Sequence, residues 1–242
     1  GMFDDDILFG SRMGNHLYNN SIFDWSMPIS FDPGHPPFLG TILALFWHIF
    51  GHELWVSHFA MIPFTIGFFI QLHKFIAYFI KEIKLQFFAF FLVLADPSLS
   101  TCLVLVNIEI ITLFFFFLSV NSLLYEQKKI QFIGLFFLSI VSFRSMMLFA
   151  GICLFEVLYR KLLQKEALKK IITLKFIVYY LAASLPAFIY VGWRFLEKGW
   201  LQTHTNSPWK SLWHFADFNY FVRNSMVLIW RYVDFGRIFI IL

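Results

Sequence analysis

The chain has 242 residues, 59% hydrophobic and only 14% charged, with 35 phenylalanines and a formal charge of +4. Soluble domains carry about 25% charged residues, so this composition excludes an ordinary water-soluble globule and defines a polytopic membrane protein. The basic excess does not form a nucleic-acid footprint. Lys81 and Lys84, Lys128-Lys129 and the stretch from Arg160 to Lys170 stand between apolar runs, which is the positive-inside pattern.

In chain order, the first segment is polar and runs from Asp4-Asp5-Asp6 to Gly34-His35-Pro36-Pro37. A helix is expected from Ile7, and carboxylates ahead of it favour its N-terminus, so capping is one role for the three acids. Two prolines after His35 stiffen the loop and hold that side chain in place. The run Phe38 to Phe50 is apolar but only 13 residues long, and no basic residue follows it. It reads as a helix lying in or against the outer membrane interface; a short true crossing is the competing reading.

Further apolar runs fall at about 56–80, 85–97, 108–124, 130–143, 145–158, 171–193 and 226–242. Helices are expected, because backbone in lipid must satisfy its own hydrogen bonds. With the basic loops in the cytoplasm, the outer face holds residues 1–55, the Asp96 to Glu109 turn, the Arg144 tip and the loop from Arg194 to Ser225. The organisation is a single, incomplete transmembrane domain over 1–242. It comprises an outer catalytic loop 1–55 with its interfacial helix, a helical bundle 56–193, an outer loop 194–225 and the start of a further span at 226–242. Met2 follows a glycine inside the polar loop and Leu242 ends in an apolar run, so spans before and after are expected.

Two charges sit where lipid penalises them. Glu109 opens the run from Ile110, and Arg144 stands between two apolar half-hairpins; each is expected to be functional or interfacial. Glu109 snorkelling to water, and an Arg144–Glu109 pair of purely structural purpose, are the bland alternatives. The 194–225 loop holds Trp200, Trp209 and Trp213 with His204 and His214. That density marks an interface belt, or places Trp209 and Trp213 at a substrate entrance. Cys102 and Cys153 lack disulfide or metal spacing. His48 and His52 lack an HExxH context, and neither GxxxxGK[ST] nor GxGxxG occurs, so zinc-protease and nucleotide-driven chemistry have no support.

The order of acidic pair, helix, Pro-Pro motif, long apolar span and acid-initiated later span resembles the polyprenyl-phosphate-sugar-dependent membrane glycosyltransferases. These GT-C enzymes include the protein O-mannosyltransferases and the aminoarabinose transferases that modify lipid A. The resemblance rests on Asp5-Asp6-Ile7-Leu8-Phe9-Gly10, on Gly34-His35-Pro36-Pro37 thirty residues after Asp5, and on Asn107-Ile108-Glu109. It covers residues 4–160 well and the remainder loosely.

What it implies is an all-α bundle of GT-C type whose outer first loop carries juxtamembrane helices. The implied protein sits in the plasma (inner) membrane with its active site on the periplasmic or extracytoplasmic face. Asp5 falls in the catalytic-base position; Asp6 and Glu109 complete the catalytic set, and His35, Arg144 and Trp209 are the substrate-binding candidates. The implied partners are a polyprenyl-phosphate sugar donor, a lipid, glycan or protein acceptor, and membrane lipids. One branch of the family places a metal-binding Glu where this chain has Gly34, so a divalent metal stays open and no ligand is assigned, although Asp32 is near. A transporter or flippase of lipid-linked sugars, or a non-catalytic assembly subunit, are the rival classes.

Overall fold

The computed structural model describes residues 4–28, 32, 34–200 and 218–234, with side chains described from Gly10 onward except Leu228 and 231–234. Within these residues all regular structure is α-helical. The helices are α1 (Asp4–Asn19), α2 (Phe38–Phe50), α3 (Leu54–Phe79), α4 (Ile83–Leu94), α5 (Pro97–Val104) and α6 (Ile108–Leu124). They continue with α7 (Lys128–Val141), α8 (Phe143–Leu162), α9 (Leu168–Ile171), α10 (Leu174–Ala183), α11 (Leu185–Lys198) and α12 (Phe218–Asp234).

Local chemistry sets several boundaries. Asn107 accepts from the backbone N–H groups of Glu109 and Ile110 and so starts α6. Ser142 and Ser145 satisfy each other's backbone in a capping box that starts α8. Asp96 caps α5 ahead of Pro97, and α4 and α5 meet at 76° across that break. Pro186 has no N–H for the carbonyl one turn back, and α10 and α11 bend by 56° just before it. The apolar run near 171–193 is thus a broken helix pair rather than a single straight helix, whereas the run near 85–97 is α4, and α5 occupies the start of the segment expected to form the turn from Asp96 to Glu109. Gly199, at φ 72°, ends α11 in a left-handed cap.

One helix, α3, is 26 residues long and apolar enough to cross a membrane; each bent pair, taken as one span, would bring the number among the described residues to three. Ile62, Ile66 and Ile70 form an exposed apolar stripe on α3, and Phe87, Phe88 and Phe91 are exposed on α4. Inside, polar groups pair: Asn121 of α6 donates to the Gln71 backbone and side-chain oxygens of α3 at 2.7 and 2.9 Å. Apolar outside with hydrogen-bonded polar residues inside is the arrangement a hydrocarbon surrounding favours.

The bundle is built in layers, α3 on α6, α6 on α7 and α7 on α8, with α10 and α11 also against α7. Phe115 is at the heart, with Phe38, Phe64 and Phe137 around it. α2 packs on α3, and α1 packs on α2. A Cβ at Gly40 would stand 2.7 Å from that of Met13 and 3.0 Å from the Gly14 nitrogen, so only glycine allows α1 and α2 to approach so closely.

Candidate functional site

Four segments meet at one end of the bundle: the loop before α2, the first turns of α6 and α8, and the last turns of α11. The Asn107 cap places Glu109 in the first turn of α6, and the capping box places Arg144 in the first turn of α8. Arg144 Nη1 donates to Glu109 Oε1 at 3.0 Å, with the Arg144 side chain 76% exposed. This pair spends little of the guanidinium's hydrogen-bonding capacity, leaving donors that face outward.

Deeper in, Asp32 and Arg194 form a buried ion pair, 2% and 3% exposed. Arg194 Nη2 lies 2.8 Å from both carboxylate oxygens and directs its hydrogen bond at Oδ1. Nη1 donates to the Tyr190 hydroxyl at 2.7 Å, and the Trp200 ring covers the guanidinium at 4.3 Å. Asp32 Oδ1 also accepts from the Gly34 N–H at 2.8 Å, and Gly34 takes a φ of 84° to make that tight turn. Among the described residues, Asp32 Oδ2, Arg194 Nε and His35 Nδ1 are buried without a hydrogen-bond partner.

The turn delivers His35 beside Phe143, ring centroids 6.0 Å apart. Burial pushes the His35 imidazole down to about 4; the positive charges of Arg144 and Arg194 add to the shift and Asp32 opposes it. At neutral pH His35 is therefore an uncharged donor and acceptor, and the positive charge here belongs to the arginines.

Of the residues expected from sequence, His35, Arg144 and Glu109 come together. Asp5 and Asp6 lie in the first turn of α1 with side chains outside the described residues, and Trp209 lies outside them altogether. Asp32, the nearest candidate for a metal ligand, is instead paired with Arg194. Among the described residues no three His, Cys, Asp or Glu side chains converge on one point. Two readings shift: the positive charge near His35 is shared between Arg144 and Arg194, and the 32–35 loop is tied to α11.

Sequence reasoning missed Arg194, which stands at the junction of an apolar run and a loop, and it missed Glu156 entirely. Glu156 is 2% exposed on α8 at the opposite end of the bundle. Its Oε1 accepts from Lys128 at 2.8 Å, and its Oε2 accepts from Gln131 at 2.9 Å and Tyr180 at 2.7 Å. A single acid inside the apolar run 145–158 was the available signal.

Fold and site together define an α-helical protein with at least one helix fit to cross a membrane and a polar, arginine-bearing centre at one end of its bundle. The chain matches no protein-family model, and no curated protein or solved structure is significantly similar to it.

Proposed function

We propose that this chain belongs to a multi-pass membrane glycosyltransferase of GT-C type that moves a sugar from a polyprenyl phosphate to a lipid, glycan or protein acceptor on the outer face of the membrane. The observation that carries the reading is the gathering of His35, Glu109, Arg144 and Arg194 at one bundle end, the end at which Asp32 of the first loop is tied to Arg194. Such transfer needs a base at the acceptor and donors on the departing phosphate. The acceptor oxygen bonds to the anomeric carbon while the bond to the phosphate oxygen breaks. Asp5 takes the acceptor's proton, and the lipid phosphate leaves with the electron pair. Arg144, solvent-facing and only partly paired, meets that phosphate; neutral His35 supplies a hydrogen bond, and Glu109 orients Arg144.

The test is reconstitution of the full-length protein with radiolabelled polyprenyl-phosphate sugars and candidate acceptors, comparing native protein with Asp5→Asn. Transfer lost in the variant supports the assignment; equal transfer removes Asp5 as the base.

A second reading, transport of a lipid-linked sugar, is favoured by one observation. Glu156 is a buried carboxylate bridging α7, α8 and α10, of the kind ion-coupled transporters use. Movement of intact lipid-linked sugar across the bilayer, with no sugar transfer from any donor, would select it.

A further inference from the structure

The helix α1 has two unlike faces. Met13 and Leu17, 2% and 0% exposed, are buried, and Gly10 and Gly14 lie against Leu39, Leu43 and Trp47 of α2, which fixes the helix in place. The other face presents Arg12, Asn15, His16 and Asn19 at three- and four-residue spacing. With Asn20 they line a concavity of about 250 Å³.

The wall of this cavity is partly pinned and partly open. His16 Nε2 lies 3.2 Å from Asp24 Oδ2, and Asn20 Nδ2 lies 3.3 Å from His16 Nδ1 and donates to the His16 carbonyl at 2.8 Å. The ring is thereby held between the Asp24 carboxylate and the Asn20 amide. The side chains of Arg12, Asn15 and Asn19, by contrast, make no hydrogen bond to any described residue. They bring two side-chain amides, each both donor and acceptor, and one guanidinium to the same small space.

Charge and size narrow what fits. Of the five lining side chains three are amides and one is a guanidinium, so the wall is mostly neutral rather than a cationic trap for phosphate. Neighbouring hydroxyls, which donate and accept, match amides that do the same. A volume below the 300–1,000 Å³ of sites for drug-sized ligands admits one ring, not a chain. Asp5 stands seven residues before Arg12 on the same helix, about 10 Å along the axis and almost at the same rotational position.

We infer that the Arg12–Asn15–Asn19 cavity binds one hydroxylated ring of a carbohydrate-bearing acceptor, aligning it along α1 toward Asp5. This assignment of the acceptor rests on the transferase reading, but binding to the cavity does not need a donor.

The test embeds the full-length protein in lipid nanodiscs and records saturation-transfer NMR with methyl α-glucoside, methyl α-mannoside and N-acetylglucosamine, with inorganic phosphate measured separately by displacement. A saturable signal from at least one sugar is expected at millimolar concentration. It should weaken roughly fivefold in Asn15→Ala and in Arg12→Gln, the loss of one hydrogen bond each. Both are exposed or half-exposed helix positions that tolerate these residues, and an unchanged circular dichroism spectrum checks the fold. No sugar signal, a sugar signal equal in both variants, or binding of phosphate alone would overturn the proposal. Because no donor is present, that outcome leaves the Asp5→Asn transfer assay to judge the transferase separately.

Discussion

Arg194 and Asp32, 162 positions apart in the chain, meet with Nη2 only 2.8 Å from both carboxylate oxygens and with neither side chain more than 3% exposed. This contact fastens the turn that carries Gly34 and His35 to the last turns of α11. A buried pair costs much to desolvate, so its loss is felt most when one partner is left alone. Removing one charge, as in Asp32→Asn or Arg194→Met, is expected to destabilise the protein by about 3–5 kcal/mol. The double change Asp32→Asn with Arg194→Met should recover most of that. Thermal unfolding of the four proteins in one detergent forms the cycle; a double variant as unstable as the sum of the singles would show that the charges do not act as a pair.

His35 gives a pH dependence whose sign follows from its depressed native value of about 4. An unfolded histidine binds its proton near 6.5, so between about 6.5 and 4 the unfolded chain holds more protons than the native one. Stability is therefore complete above 6.5 and is lost as pH falls through that window, by an amount on the order of 3 kcal/mol. His35→Asn should flatten the profile of unfolding free energy between these limits. An unaltered slope in the variant would remove His35 as its source.

The residues of this end of the bundle show what sequence can and cannot convey. Glu109 and Arg144 stand out because each interrupts an apolar run, and a charge in such a place demands a partner or an interface. His35 is held by the prolines beside it, a local effect legible in neighbouring letters. The Asp32–Arg194 pair has no local signature: Arg194 looks like the polar end of a span, and nothing links it to a turn so distant in sequence. The bend ahead of Pro186 was written in the proline but masked by the mostly apolar composition from 171 to 193. Glu156 was masked similarly, being one acid close to the basic stretch that begins at Arg160.

The α1–α2 contact depends on glycine. In Gly40→Ala the new methyl would meet Met13 Cβ at 2.7 Å and the Met13–Gly14 backbone at 3.0 Å, so the helices must part, at a cost of about 1–3 kcal/mol. Gly192→Ala on α11 meets nothing within 4 Å and should be neutral or stabilising by up to about 1 kcal/mol through helix propensity. Comparing the two melting temperatures checks both directions at once.

Glu156 holds three helices by accepting from Lys128, Gln131 and Tyr180. Glu156→Gln keeps the shape and much of the hydrogen bonding and is expected to cost about 1–2 kcal/mol. Glu156→Leu leaves the Gln131 amide and Tyr180 hydroxyl buried without their acceptor and should cost about 3–5 kcal/mol. If this carboxylate serves only to fasten helices, transfer activity measured on the surviving folded fraction stays at the native level in Glu156→Gln. If it couples ion movement, that variant folds but loses transport.

Arg144 and Glu109 separate function from stability most cleanly. Their bond is 3.0 Å long, yet the Arg144 side chain is 76% exposed, and an ion pair so open to solvent contributes at most about 1 kcal/mol. Arg144→Ala should therefore leave the melting temperature almost unchanged. Under the transferase reading it should nonetheless lower sugar transfer by a factor of about 10–100, corresponding to the 1.5–3 kcal/mol of a hydrogen bond to a charged group. Arg144→Lys should restore only part of that, since an ammonium keeps the charge but loses the planar pair of donors that suits a phosphate. A loss of transfer matched by equal loss of folded protein would reduce Arg144 to a structural partner of Glu109. Native transfer by Arg144→Ala would move the phosphate contact elsewhere, with Arg194 the next arginine to test.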